Sequence, residues 1–178
     1  DMPIENSTNP YYSITPQYYV PTIESNRRIP DTWNKSWLII YRRIANFKLE
    51  RTMTASIIPL AGVGDSSNLI FSESGRSFEL LLLYSNFNSI IFDYTIRQKV
   101  AGSNLSQFFI HQTPVLDQSK YSVRDKKEIL NRQFELTFTS WDIKAFADDV
   151  WKEADADLRA AIQQQWEANK AATGGHEW

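Results

Sequence analysis

Two stretches of the chain concentrate the side chains that read nucleic acid. The first holds Arg97, Gln98, Lys99, Ser103, Asn104, Gln107, His111 and Gln112. Guanidinium and ammonium groups pair with phosphate oxygens and with the acceptors of guanine, while Asn and Gln amides match the donor and acceptor edge of adenine. Gly102 precedes Ser103 and Asn104, and a glycine turn lets backbone come close to a phosphate or a base. The second stretch is basic, with Arg42, Arg43, Lys48 and Arg51. Alternation along a strand sends Arg42 and Arg43 to opposite faces, so at most one of that pair meets DNA. Arg97 and Gln98 suit an equally good structural role, bracing the end of a helix, and for each residue of the first stretch both roles stay open.

Other chemistry finds little support. Zero cysteines exclude disulfides, thiolate zinc sites and Cys nucleophiles, and His111 and His176 are too far apart in sequence for a metal motif. Asp142, Asp148, Asp149 and Lys144 resemble the carboxylates and lysine of a metal-dependent nuclease, but they fall on a helical pattern and read as solvated helix charges. Asp93 and Arg97 form a structural pair at i, i+4. Trp33, Trp37, Tyr41, Phe47 and Phe92 read as core rather than as base-stacking platforms. The net charge of −2 hides a gradient. From Arg27 to Gln112 ten Lys and Arg face six acids, net +4, whereas from Trp141 to Trp178 eight acids face four bases, net −4. That polarity suits a DNA-facing front and a solvated back.

The elements that must position these groups follow from patterning. With 178 residues, 42% of them hydrophobic, the chain can bury a substantial core. Residues 1–30 carry five of the seven prolines and read as an extended arm, with a short helix from Pro21 to about Arg28. Residues 31–116 read as an α+β core. Strands are expected at Ser36–Ala45, Thr52–Pro59 and Ser67–Ser72, and a helical hairpin at Phe78–Lys99, broken near Asn88 where Asn88 or Ser89 caps the second helix. In that helix Ile90, Phe92 and Ile96 form the apolar side, while Ile91, Tyr94 or Thr95, and Gln98 share another face. After the turn Ala101-Gly102-Ser103-Asn104, Gln107–Gln112 reads as a strand. Residues 117–178 form a helical extension, with helices at Arg124–Phe138, at Trp141–Trp151 behind Ser140 as N-cap, and at Asp155–Ala172, where Leu158, Ile162 and Trp166 align. The fold class expected is α+β: a small mixed or antiparallel sheet with a helical hairpin, followed by a helical C-terminal part. Ser85, Asn86, Asn88 and Ser89 interrupt the longest apolar run, Phe78 to Ile96, so no membrane span is expected. The start at Asp1-Met2-Pro3 and the end at Trp178 read as cuts in a longer chain, and the absence of a leader pattern reads as cytoplasmic.

Four ordered pieces carry a family resemblance: Pro16 to Pro21 (PQYYVP), Tyr41 to Thr52 (YRRIANFKLERT) leading into IIP, Phe87 to Leu116 (FNSIIFDYTIRQKVAGSNLSQFFIHQTPVL), and Glu135 to Asp149 (ELTFTSWDIKAFADD). Together the chain resembles the target-recognition region of adenine-specific DNA methyltransferases from restriction-modification (type IIG-like) and DISARM- or BREX-like phage-defence systems. It departs from the family pattern in Arg42-Arg43-Ile44, where Arg-Asp-Ile is usual, and in Leu49-Glu50-Arg51-Thr52, where Asn-Glu-Arg-Thr is usual. The resemblance implies a noncatalytic module that presents double-stranded DNA to a methyltransferase domain outside this chain, with S-adenosylmethionine bound there and no cofactor bound here. It also implies contacts with that domain and with defence-system subunits. A rival expectation is an assembly domain that docks a restriction or helicase partner. Asn9-Pro10-Tyr11-Tyr12 is not the family's catalytic Asn-Pro-Pro-Tyr string, and Gly62-Val63-Gly64 lacks the following helix that a methyl-donor loop requires.

Overall fold

The computed structural model describes residues 3–16, 18–45 and 48–173, so Phe47, an expected core aromatic, lies outside the described residues. Strand β1 (Trp37–Arg42) is central, flanked by β2 (Ala55–Pro59) and β3 (Ser67–Ile70) in the order β2-β1-β3. Both pairings are antiparallel, so the sheet is antiparallel rather than mixed. The β-branched and aromatic content of Trp37-Leu38-Ile39-Ile40-Tyr41 suits a half-buried pleat. Trp37, Ile39 and Tyr41 are buried, whereas at the far end of β1 the other face opens, with Ile40 half-buried and Arg42 exposed.

The expected strand from Thr52 begins only at Ala55, and the cause is a carboxylate. The backbone amides of Thr52 and Met53 both donate to Asp93 Oδ1, at 2.8 and 2.7 Å, and are thereby withdrawn from the sheet ladder. Asn88 Oδ1 accepts the Ala55 amide at 3.2 Å.

The hairpin forms with its break where the sequence places it. Helix α3 (Ser77–Phe87) and helix α4 (Ile90–Arg97) are separated by Asn88 and Ser89, and Ser89 Oγ accepts the Phe92 amide at 3.1 Å. Phe92, Asp93 and Ile96 define the buried face of α4. Ile90 is 79% exposed, not part of the apolar side expected for it, because two residues along a helix turn it about 200° from Phe92.

Before the sheet, helix α1 (Ile4–Ser7) and helix α2 (Thr22–Asn26) interrupt the arm. After the glycine turn, Gln107–Gln112 is not a strand: Gln107–His111 forms helix α5. Strand-forming side chains there yield to tertiary context. Phe109 and Ile110 pack against the core, Thr113 Oγ1 donates to the Phe109 carbonyl at 2.8 Å, and Lys99 Nζ donates to the carbonyl of Gln112 at the helix end.

Helix α6 (Val123–Thr137) starts in a reciprocal capping box between Ser122 and Asp125. Ser140 does not cap the next helix as expected. A 3-10 turn at Trp141–Ile143 comes first, and Ser140 Oγ and the Trp141 amide both donate to the Pro10 carbonyl, at 3.2 and 2.9 Å, which ties the arm down. Helix α7 (Lys144–Glu153) and helix α8 (Ala156–Thr173) complete the described residues. Leu158 and Ile162 are buried, and Trp166 stacks on Phe138 at 5.6 Å.

Sheet and helices share one buried cluster that runs from Trp33, Trp37 and Ile39 through Leu80 and Leu81 to Phe134, Phe146 and Ile162. Trp37 meets Phe146 edge to face at 5.2 Å. Among the described residues no helix is long and apolar enough to cross a membrane.

Candidate nucleic-acid interface

The two polar stretches, more than fifty residues apart at their starts (Arg42 and Arg97), are brought together by a pair of backbone hydrogen bonds that make one bridge. The Ala45 amide donates to the Ser103 carbonyl at 3.0 Å, the Leu105 amide donates to the Arg43 carbonyl at 2.7 Å, and Ile44 and Asn104 form an antiparallel bridge. Buried Ala45 and Leu105 hold this rung in place, so the glycine turn continues the pleat of β1. Bridged residues share a face, as do alternate residues of a strand. Arg42, Ile44 and Asn104 therefore lie on one side. Arg43 turns to the other, where its guanidinium contacts the Asp65 carboxylate and donates to the Asp65 carbonyl at 3.4 Å.

Several expected DNA contacts prove to have structural partners. Arg97 donates to the carbonyls of Leu49 and Glu50 and to Asp93 Oδ2 at 3.3 Å, so it pins the loop after β1. Arg51 donates to the Asn88 carbonyl at 2.8 Å and lies 3.7 Å from Asp93 Oδ1. Asp93, 6% exposed, thus sits between two guanidiniums and also accepts two backbone amides. One carboxylate against two guanidiniums leaves this knot one positive charge in excess. Lys99 closes the end of α5 through Gln112, and Gln98 Nε2 reaches the Tyr94 carbonyl at 3.5 Å.

On the outside are Arg42, Lys48, Gln98, Ser103, Asn104, Gln107, His111 and Gln112, all exposed. The Arg42 guanidinium donates to the Arg51 carbonyl at 3.0 Å, which holds it in place above the sheet. Its lateral neighbours were missed by sequence reasoning. Ser67 is its register partner on β3, and its amide donates to the Thr54 carbonyl on the β2 side at 3.0 Å. Nothing in the spacing of serines and threonines announces them, because only strand register makes them neighbours.

The catalytic look-alikes have structural roles. Asn9 Oδ1 accepts the Tyr11 amide at 3.0 Å and the Pro10 carbonyl takes two donors from the Ser140 region. Gly62-Val63-Gly64 leads into β3, not into a helix. Lys144 and Asp148 form an exposed i, i+4 pair, as expected. Asp149 departs from that pattern: it accepts from Trp37 Nε1 at 3.0 Å and lies 3.8 Å from the buried Lys35 ammonium. Among the described residues no group of three or more His, Asp or Glu is placed to hold a metal ion. Burial pushes the Tyr41 and Tyr84 phenols above their ordinary value, so both stay protonated near neutral pH.

A separate cleft of about 340 Å³ lies between the arm, α6 and α8, walled by Phe134, Phe138, Trp141 and Trp166. It shares no residue with the polar edge. In comparisons with known proteins, no family model, no curated protein and no solved structure gives a match.

Proposed function

We propose that this chain is a DNA sequence-recognition module of an adenine-specific DNA methyltransferase, one that positions duplex DNA for a catalytic domain outside the chain. The observation that carries this reading is the shared face of Arg42 and Asn104, which joins a cation suited to phosphate and an amide suited to an adenine edge across the Ile44–Asn104 bridge. The net positive charge of the Asp93, Arg51 and Arg97 cluster, carried by two partly exposed guanidiniums, favours a polyanion. S-adenosylmethionine would bind the catalytic domain, in the cytoplasm, with defence-system subunits as further partners. A mobility shift of duplex DNA by this chain at low salt is the expected result, and its absence overturns the reading. In the whole enzyme, Asn104→Ala is expected to relax the methylated sequence at one position, a discrimination of about 1 to 3 kcal/mol, checked by mapping modified adenines across a genome.

A second reading, a domain that docks a partner subunit, is favoured by α4. Its outward face presents Ile90, Ile91 and Tyr94, 79%, 80% and 66% exposed, a run of apolar surface that a protein partner could cover. Failure to shift DNA together with capture of a restriction or helicase subunit supports it.

A further inference from the structure

The open face of the sheet has a composition that neither strand pattern nor charge gradient explains. Across β2-β1-β3, residues in register stand side by side about 4.8 Å apart. One transverse row reads Thr54, Arg42, Ser67, and the next reads Ser56, Ile40, Leu69. Thr54, Arg42, Ser67, Ser56 and Ile40, together with Ile44 and Ser66, line a shallow depression of about 370 Å³. Four hydroxyl side chains and one guanidinium thus line it together with Ile40 and Ile44, and no carboxylate does.

We propose that this depression is a phosphodiester cradle in which Arg42, set between the Thr54 and Ser67 hydroxyls with Ser56 and Ser66 alongside, receives a backbone phosphate of double-stranded DNA. The inference rests on the DNA-recognition reading and assigns the phosphate contact within it. Three features favour an anion over water. A guanidinium offers several N–H donors in a fixed fork, and the Arg51 carbonyl takes one of them while holding the group over the sheet. Hydroxyls donate to phosphate oxygens with no charge of their own to repel the strand, and among the described residues the Ser56 hydroxyl makes a long 3.4 Å contact to the Ile57 carbonyl of its own strand. The nearby carboxylate, Asp65, is paired with the Arg43 guanidinium. Through the bridge to Ile44, the same face continues to Asn104, so a strand held at Arg42 runs toward the amide that would read a base.

Fluorescence anisotropy with a labelled random-sequence duplex, titrated over a range of salt, tests the cradle in this chain. Arg42→Gln should flatten the dependence of log affinity on log salt by about 0.9, the loss of one phosphate contact. Ser67→Asp should weaken binding severalfold, and Ser67→Lys should steepen the slope by about 0.9 by adding a contact. Because the Ser67 variants leave the Arg42–Arg51 link intact, they report even if Arg42→Gln unfolds. Wild-type binding with all slopes and affinities unchanged overturns the cradle and leaves the recognition reading standing. No wild-type binding at any salt overturns both.

Discussion

Asp93 shows how far a residue's identity can be read and where that reading stops. Its pairing with Arg97 is plain from spacing alone, and an exposed pair of this kind stabilises a helix by only a few tenths of a kcal/mol. Burial changes the scale. With two backbone amides and two guanidiniums around it, removing the carboxylate leaves the Thr52 and Met53 amides without their acceptor and takes an ion-pair partner from Arg51 and Arg97. Asp93→Ala is therefore expected to cost about 3 to 5 kcal/mol, read from the urea midpoint, and to loosen the Leu49–Met53 loop. A loss below about 1 kcal/mol would show that the knot does not organise the loop. The same knot explains why residue types pointed correctly to an edge while mistaking several of its members. Arg51, Arg97 and Lys99 have the chemistry of DNA contacts, yet each has a backbone carbonyl within the fold as its partner. Sequence states what a side chain can bond but not which carbonyl lies within its reach.

Elements were most legible where a local signal sets them. The α3–α4 break needs only Ser89 and its reach to the Phe92 amide, and α6 needs only the Ser122–Asp125 box. The box also makes a pH prediction. The Ser122 hydroxyl, then the Ser122 backbone amide, hold the Asp125 carboxyl below its ordinary value of 3.8. A carboxyl depressed in the folded state contributes stability that is present above its unfolded value and is lost as pH falls through the lower folded one. Ser122→Ala should thus destabilise the protein at neutral pH, with the gap to wild type narrowing in acid below that window, as followed by thermal melts across pH. A gap that stays constant down to strong acid would remove Asp125 from the account. Elements set by distant partners were not legible. The first residues of the expected second strand are held by Asp93, some forty positions later, and α5 replaces an expected strand because its apolar side chains and its C-terminal carbonyl are met by other parts of the fold.

At the scale of the molecule, the helical C-terminal part completes what the front begins. The N-terminus of α3 has no side-chain cap of its own, and the Glu153 carboxylate of α7 supplies one, accepting the Ser77 and Phe78 amides at 2.7 and 3.1 Å. Glu153→Ala should lower stability by about 1 kcal/mol, and Glu153→Gln, which keeps one acceptor oxygen, by less, as measured by urea unfolding. Equal losses would mean that charge near the helix end matters more than the cap bonds. The α+β class was legible because strands precede helices in the chain, but the dependence of α3 on α7 was not, since no pattern near Ser77 mentions Glu153. That dependence has a consequence for synthesis. Trp37 must wait for Asp149, 112 positions downstream, and at about 5 to 20 residues per second the ribosome imposes a delay of roughly 6 to 22 s. During that interval the inner face of the nascent sheet lacks the cover of α7, so slowing translation between Trp37 and Asp149, for example within α6, should lengthen chaperone occupancy, whereas slowing it inside the arm should leave it unchanged.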